Sequence, residues 1–285
     1  MSLASGSLAS RWLGRDRLIL LAGLAIIILM AWGWLLAGSG MGSSAIEMTA
    51  MAGMDGWLMQ PAVWTPGYAI LIFFMWWVMM VAMMLPSATP ALLLFDRVSH
   101  SDKSDTSPTT RTALFGMGYL LAWGLFSAVA TAIQWCLASA RLLTPMLETP
   151  DRWLGAGILA AAGLWQLTPI KAACLRQCRS PLSFLTGHWR DGRVGALQMG
   201  VQHGAFCLGC CWFLMLLLFF GGVMNLYWII GLAVFVLLEK TTRIGHWLTR
   251  ISGVGLLVAP HGWRQKQHRS TKSVRARSRR LLHAC

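Results

Sequence analysis

A chain of 285 residues is long enough for one or two water-soluble domains, but 56% of it is hydrophobic and only 12% charged, and the charges crowd between long apolar runs. That pattern excludes an ordinary soluble enzyme domain. It points to helices in a membrane, because helices satisfy their own backbone in lipid and the periodicity is not that of a barrel. The expected fold class is all-α, a polytopic integral membrane helical bundle of six to seven transmembrane helices. Net charge is +14, and eight of the basic residues sit between Arg264 and Arg280 in a tail without a single acid. On a membrane bundle such a tail is read as lying against anionic headgroups, not nucleic acid.

Residues 1–17 carry Arg11, Arg15 and Arg17 and precede an apolar run from Leu18 to Ala37. The run is long for the core of a signal peptide, so a retained first helix with a cytoplasmic N-terminus is expected. Residues 38–66 read as an outer loop with no Lys or Arg, holding Met41, Met48, Met51, Met54 and Met59. Its centre is Met48-x-x-Met51-x-x-Met54. Thioethers are neutral, soft ligands suited to Cu(I), and three of them spaced by three in a loop can converge on one ion.

Gly67 to Phe95 is a second long apolar run. In it Met75, Met79 and Met83 recur at helical spacing, with Met80 and Met84 beside them. Such a stripe is ordinarily packing, or else a relay for a soft cation; Pro86 and Pro90 are expected to end or kink the helix. A polar loop, 96–111, leads to a third helix, Thr112 to Gln134, in which Gly116, Gly118 and Gly124 permit close approach of a neighbour. Residues 135–152 read as a loop containing a lone structural thiol, Cys136. Trp153 to Ile170 is a fourth helix, interrupted by Gln166 and ended by Pro169. Cys174 and Cys178 follow at i, i+4 among basic neighbours that favour the thiolate. Residues 182–194 look mobile and basic.

The fifth helix, Gly195 to Phe220, is the centre of the chain. Around 100° per residue places Met199, His203, Cys207, Cys210 and Cys211 within an arc of about 120°. Imidazole and thiolate on one face of a hydrophobic helix is ligand chemistry for a soft metal such as Cu(I), with zinc the alternative. The bland alternative is that these are small buried hydrophobes and a packed histidine. A Gly221-Gly222-Val-Met-Asn225 turn leads to a sixth helix, Leu226 to Leu238, ended by Glu239 and Lys240. Glu239 is either a fully solvated helix-end acid or a buried one that would need a cationic partner, for which Lys171 is one candidate. Residues 244–260 form either a short seventh helix or an interfacial one.

Orientation follows from Lys/Arg counting. With the N-terminus inside, the inner segments up to Arg243 hold thirteen Lys/Arg and the outer loops two, Arg141 and Arg152. Six spans keep the basic tail inside as well. The expected organisation is therefore a basic cytoplasmic N-terminus (1–17), a transmembrane helical domain (18–260) and a basic, disordered tail (261–285), in a bacterial inner membrane.

Three motifs together resemble a known family. They are the run Trp76 to Pro90; Gly163-Leu-Trp-Gln-Leu-Thr-Pro-Ile-Lys171 with Cys174, Cys178 and Pro181; and Gly204, Cys207, Gly209, Cys210, Cys211, Trp212 and Met215, followed by Gly222, Met224, Asn225 and Glu239-Lys240. This is similar to the bacterial domain-of-unknown-function family 2182, described as predicted metal-binding integral membrane proteins. The resemblance spans roughly residues 67–255. It implies membrane location and metal binding through the same Cys and Met positions, and it supplies no reaction. The methionine loop and the basic tail lie outside it.

The leading reading is a membrane protein that binds a soft metal, Cu(I) first, for handling, delivery or transport. Its candidate metal ligands are His203, Cys207, Cys210, Cys211, Cys174, Cys178, Met48, Met51 and Met54. The expected partners are the bilayer and a metal donor or acceptor protein, with no nucleic acid. There is no phosphate-binding Gly-rich loop, so ATP hydrolysis by this chain is not expected. The alternatives are a non-catalytic assembly subunit whose Cys and Met only pack, and a thiol–disulfide membrane oxidoreductase.

Overall fold

The structure, a computed structural model, describes residues 3–51, 63–101, 107–143, 152–242 and 244–258. Among these residues it is helical, without strands. The elements are α1 (Leu3–Leu36), α2 (Ala45–Met51), α3 (Pro66–Ser101), α4 (Pro108–Ser139), α5 (Arg152–Gln166), α6 (Pro169–Arg179), α7 (Pro181–His188), α8 (Gly192–Leu216), α9 (Leu218–Gly221) and α10 (Leu226–Thr241). Residues 245–258 add an eleventh helix, α11. The basic tail lies outside the described residues.

Four helical stretches are long and apolar enough to cross a membrane: Arg17–Leu36, Pro66–His100, Pro108–Ser139 and Gly192–Gly221. A fifth arises if the pair Trp153–Gln166 and Pro169–Arg179, bent by 64°, counts as one broken span. The outward faces are apolar too, with Leu29, Met30, Leu125 and Tyr227 each more than two thirds exposed. Such a surface needs a cover that is not water.

Several local expectations are corrected. Residues 38–66 contain α2, because Ser44-Ala-Ile-Glu47 is a capping box: Ser44 N–H donates to Glu47 Oε2 (2.9 Å) and Glu47 N–H to Ser44 Oγ (3.2 Å). Of the two outcomes expected at Pro86 and Pro90, an end to the helix does not occur: α3 runs through both. Nearby hydroxyls take up carbonyls of that turn: Ser87 donates to Met84 O, Thr89 to Leu85 O and Tyr119 to Met84 O. Cys136 sits in α4, not in a loop, and is exposed. The stretch taken as mobile holds α7, which buries Phe184 and Leu185.

The fourth helix breaks where the sequence says it should. Leu167-Thr168-Pro169 ends α5, and Thr168 restarts the chain as the N-cap of α6, its hydroxyl accepting from Lys171 N–H at 3.2 Å. The bend turns α6 inward onto α8. Helices α4 and α8 form the closest pair, and glycines make that possible. A Cβ on Gly118 would lie 2.2 Å from Leu197 O, and one on Gly200 would lie 2.0 Å from Phe115 O. Gly116 and Gly124 meet their neighbours only at ordinary contact distance, so Gly118 alone of the three expected glycines sets the spacing.

Candidate metal centre

Two helices bring the cysteines together. Helix α8 buries Cys207, Cys210 and Cys211, at 2%, 0% and 0% exposure. Helix α6 carries Cys174 and Cys178 one turn apart, both partly buried. Cys178 Sγ lies 4.0 Å from Cys210 Sγ. Cys174 packs where α8 has no side chain: a Cβ on Gly209 would come within 2.9 Å of its Sγ. The indole of Trp165 holds the same turn, donating to Gly209 O at 3.1 Å. The two cysteine groups, 29 residues apart from Cys178 to Cys207 in sequence, therefore form one site.

Other elements supply the walls. From α3, Met84 Sδ reaches 4.0 Å from Cys211 Sγ. From α4, Tyr119 Oη is 3.1 Å from Cys207 Sγ. From α10, Lys240 Nζ is 2.9 Å from Cys207 Sγ and 3.4 Å from Ser87 Oγ. Lys240, Tyr119 and Ser87 were not anticipated as site residues. Lys240 reads in sequence as the charge that ends a helix, and only the packing of α10 turns it inward, leaving it 6% exposed.

His203 is on the predicted face, 2% exposed, but its ring sits among Phe115, Tyr119 and Phe184, with centroids 5.8, 5.9 and 5.0 Å away. Its Nδ1 has no hydrogen-bond partner. Met48 lies partly buried on α2, packed against the core, and Met51 is the last residue of that helix. Met54 lies outside the described residues. Helix α2 is tied to the start of α10, where Leu226 N–H donates to Thr49 Oγ1 at 3.0 Å. The cysteines meet the other end of α10, about 21 Å away along its axis. The methionine-bearing helix α2 and the cysteine cluster are thus separate places in the fold.

Among the described residues, no three His, Cys, Asp or Glu side chains surround one point as a finished metal cage. What the site does offer is sulfur. Metal–sulfur bonds of about 2.3 Å across a 4.0 Å sulfur pair subtend roughly 120° at the ion. That angle is close to trigonal; a linear two-coordinate ion would need the two sulfurs farther apart.

Beside the sulfurs lies a buried ion pair. Lys171 Nζ sits 2.8 and 2.9 Å from the two Glu239 carboxylate oxygens, both side chains fully buried, so of the two readings of Glu239 the buried, paired one is what forms. Gln166 Oε1 accepts from the same ammonium. Thr249 of α11 donates to Glu239 Oε1 at 2.6 Å, and Gln166 Nε2 donates to Ser252 Oγ at 2.8 Å. These bonds clamp α6, α10 and α11 together. With Gly163 and Gly253 at the contact, α11 packs into the bundle against α5.

The architecture defines a helical protein with a buried, thiol-rich centre. Comparison with protein families then gives the particular group: the family described as PpoB2, copper chaperone, matches residues 73–262, about two thirds of the chain. The chain belongs to that family. No curated protein and no solved structure matches it.

Proposed function

We propose that this chain is an integral membrane protein that holds Cu(I) on Cys178, Cys207, Cys210 and Cys211, with Cys174 and Met84 as neighbouring ligands, and passes it to a copper-receiving protein. The observation that carries the reading is the convergence of Cys178 on Cys210 from a separate, broken helix. Discontinuous helices that meet in the interior of a bundle are where membrane proteins place ion sites. Charge supports the choice of a monovalent ion. Two thiolates with Cu(I) leave one negative charge, and the Lys240 ammonium stands beside Cys207 to neutralise it in a low-dielectric interior.

The family's description as a copper chaperone supports copper handling, and its match overlaps the stretch that resembles the family of predicted metal-binding membrane proteins. In this reading α1, α3, α4, the α5–α6 pair, α8 and α10 make six crossings, with α11 packed on α5 beneath the headgroups. The N-terminus and the basic tail lie on the cytoplasmic side of a bacterial inner membrane, by the distribution of Lys and Arg. Met48, Met51 and Met54 are the outer capture segment, and His203 is a reserve ligand one turn from Cys207.

Elemental analysis of protein purified in detergent after growth with added copper tests this. Wild type is expected to carry copper near one per chain, and C207S/C210S/C211S less than a tenth of that. Copper retained by the triple variant, or copper-free wild type with freely reactive thiols, would leave the assembly-subunit reading in its place.

A further inference from the structure

Helix α3 hides more thioether than the cysteine site uses. Met75, Met79, Met80 and Met84 are 0% exposed and Met83 is 1%. On a helix, residues three and four apart are neighbours. Met75, Met79 and Met83 therefore form one row and Met80 and Met84 a second, joined through Met80 and Met83. The two rows make one ladder about 13 Å long. Contact fixes its inner end, since Met84 Sδ lies 4.0 Å from Cys211 Sγ. The other end points toward the start of α3, which also faces the α1–α2 segment: Leu71 is the residue a Cβ on Gly40 would strike.

Packing alone asks for apolar volume, and Leu or Ile supplies it with fewer rotamers to freeze. Five methionines in two adjoining rows add a second property, a neutral soft donor at every turn. We propose that this ladder is a second soft-ligand site, a thioether conduit that carries Cu(I), or Ag(I) in its place, between the α2 end of the bundle and the cysteines. The proposal rests on the cysteine cluster being the Cu(I) site. Movement is ligand exchange: a bond from the ion to one sulfur forms as the bond to its neighbour breaks. The ion stays monovalent, and neither proton nor electron changes hands. Neighbouring Cβ atoms lie about 5–6 Å apart, so two flexible side chains can hold one ion at the hand-over.

The test uses the full chain in detergent, with its methionine methyl groups isotopically labelled, and Ag(I) as the probe. Wild type is expected to show methyl shifts at Met75, Met79, Met80 and Met83 on addition of Ag(I), and a thiolate-to-metal absorption band that rises quickly. In M75L/M79L/M80L/M83L the band should reach the same final height at least tenfold more slowly. If that variant does not fold, M79L and M83L are read singly, each expected to slow the rise about threefold. Equal rates in folded variants, with no methyl shift beyond Met84 in wild type, would overturn the conduit. A missing absorption band in wild type would strike the cysteine reading instead, and the methyl shifts would still decide the ladder.

Discussion

Exchanging Cys178 for serine is expected to weaken Cu(I) binding at least about a hundredfold while leaving the helical fold intact. The side chain is of nearly the same size, so packing between α6 and α8 survives, but the soft donor facing Cys210 at 4.0 Å is replaced by a hard hydroxyl. Competition against a chromogenic Cu(I) chelator reads the loss directly. Cys136→Ser is the matched control, since Cys136 is exposed on α4 and, among the described residues, bonds to no other thiol. It should bind as wild type does. Equal losses in both variants would mean that thiol content, not geometry, sets affinity.

The largest stability effect is expected at the buried ion pair. Lys171→Met leaves Glu239 charged and fully buried without its partner, which costs about 3–5 kcal/mol. Removing both charges, as in Lys171→Met with Glu239→Gln, should recover much of that, because the desolvation of each ion disappears along with their attraction. Thermal unfolding in detergent checks the order: wild type and double variant close together, single variant well below. The single variant should also loosen α11, since Thr249 and Gln166 hydrogen-bond into the same group. A single variant as stable as wild type would mean the pair is solvated and the clamp unimportant.

Much of the helical plan was legible because lipid-compatible helices are written as uninterrupted apolar runs, and the runs found in α1, α3, α4, α8 and α10 match the helices formed. The cysteine face of α8 was legible from 3.6-residue periodicity alone, whereas the Lys171–Glu239 pair was only one of two readings, because the sequence does not say whether a helix-end acid is buried or solvated. What stayed hidden was local capping and long-range orientation. Ser44 and Glu47 closed a short helix in what looked like a loop. The prolines of α3 lie inside a continuous helix, in a turn where Ser87, Thr89 and Tyr119 also donate hydroxyls to the carbonyls of Met84 and Leu85. Lys240 looked like a helix-ending charge, since nothing in one helix tells which neighbour it will face. Its partner Cys207 lies 33 residues away. Whether Cys174 and Cys178 joined the central cysteines turned on the 64° bend at Thr168-Pro169, a quantity of angle and not of spacing.

The central claim, that these thiols hold a soft monovalent ion together, is tested most directly by X-ray absorption at the copper edge on the copper-loaded full chain. The expected spectrum is that of Cu(I) with two or three sulfur neighbours at about 2.3 Å, in line with the sulfur spacing across α6 and α8. A shell dominated by nitrogen or oxygen, or copper in the divalent state, would contradict it.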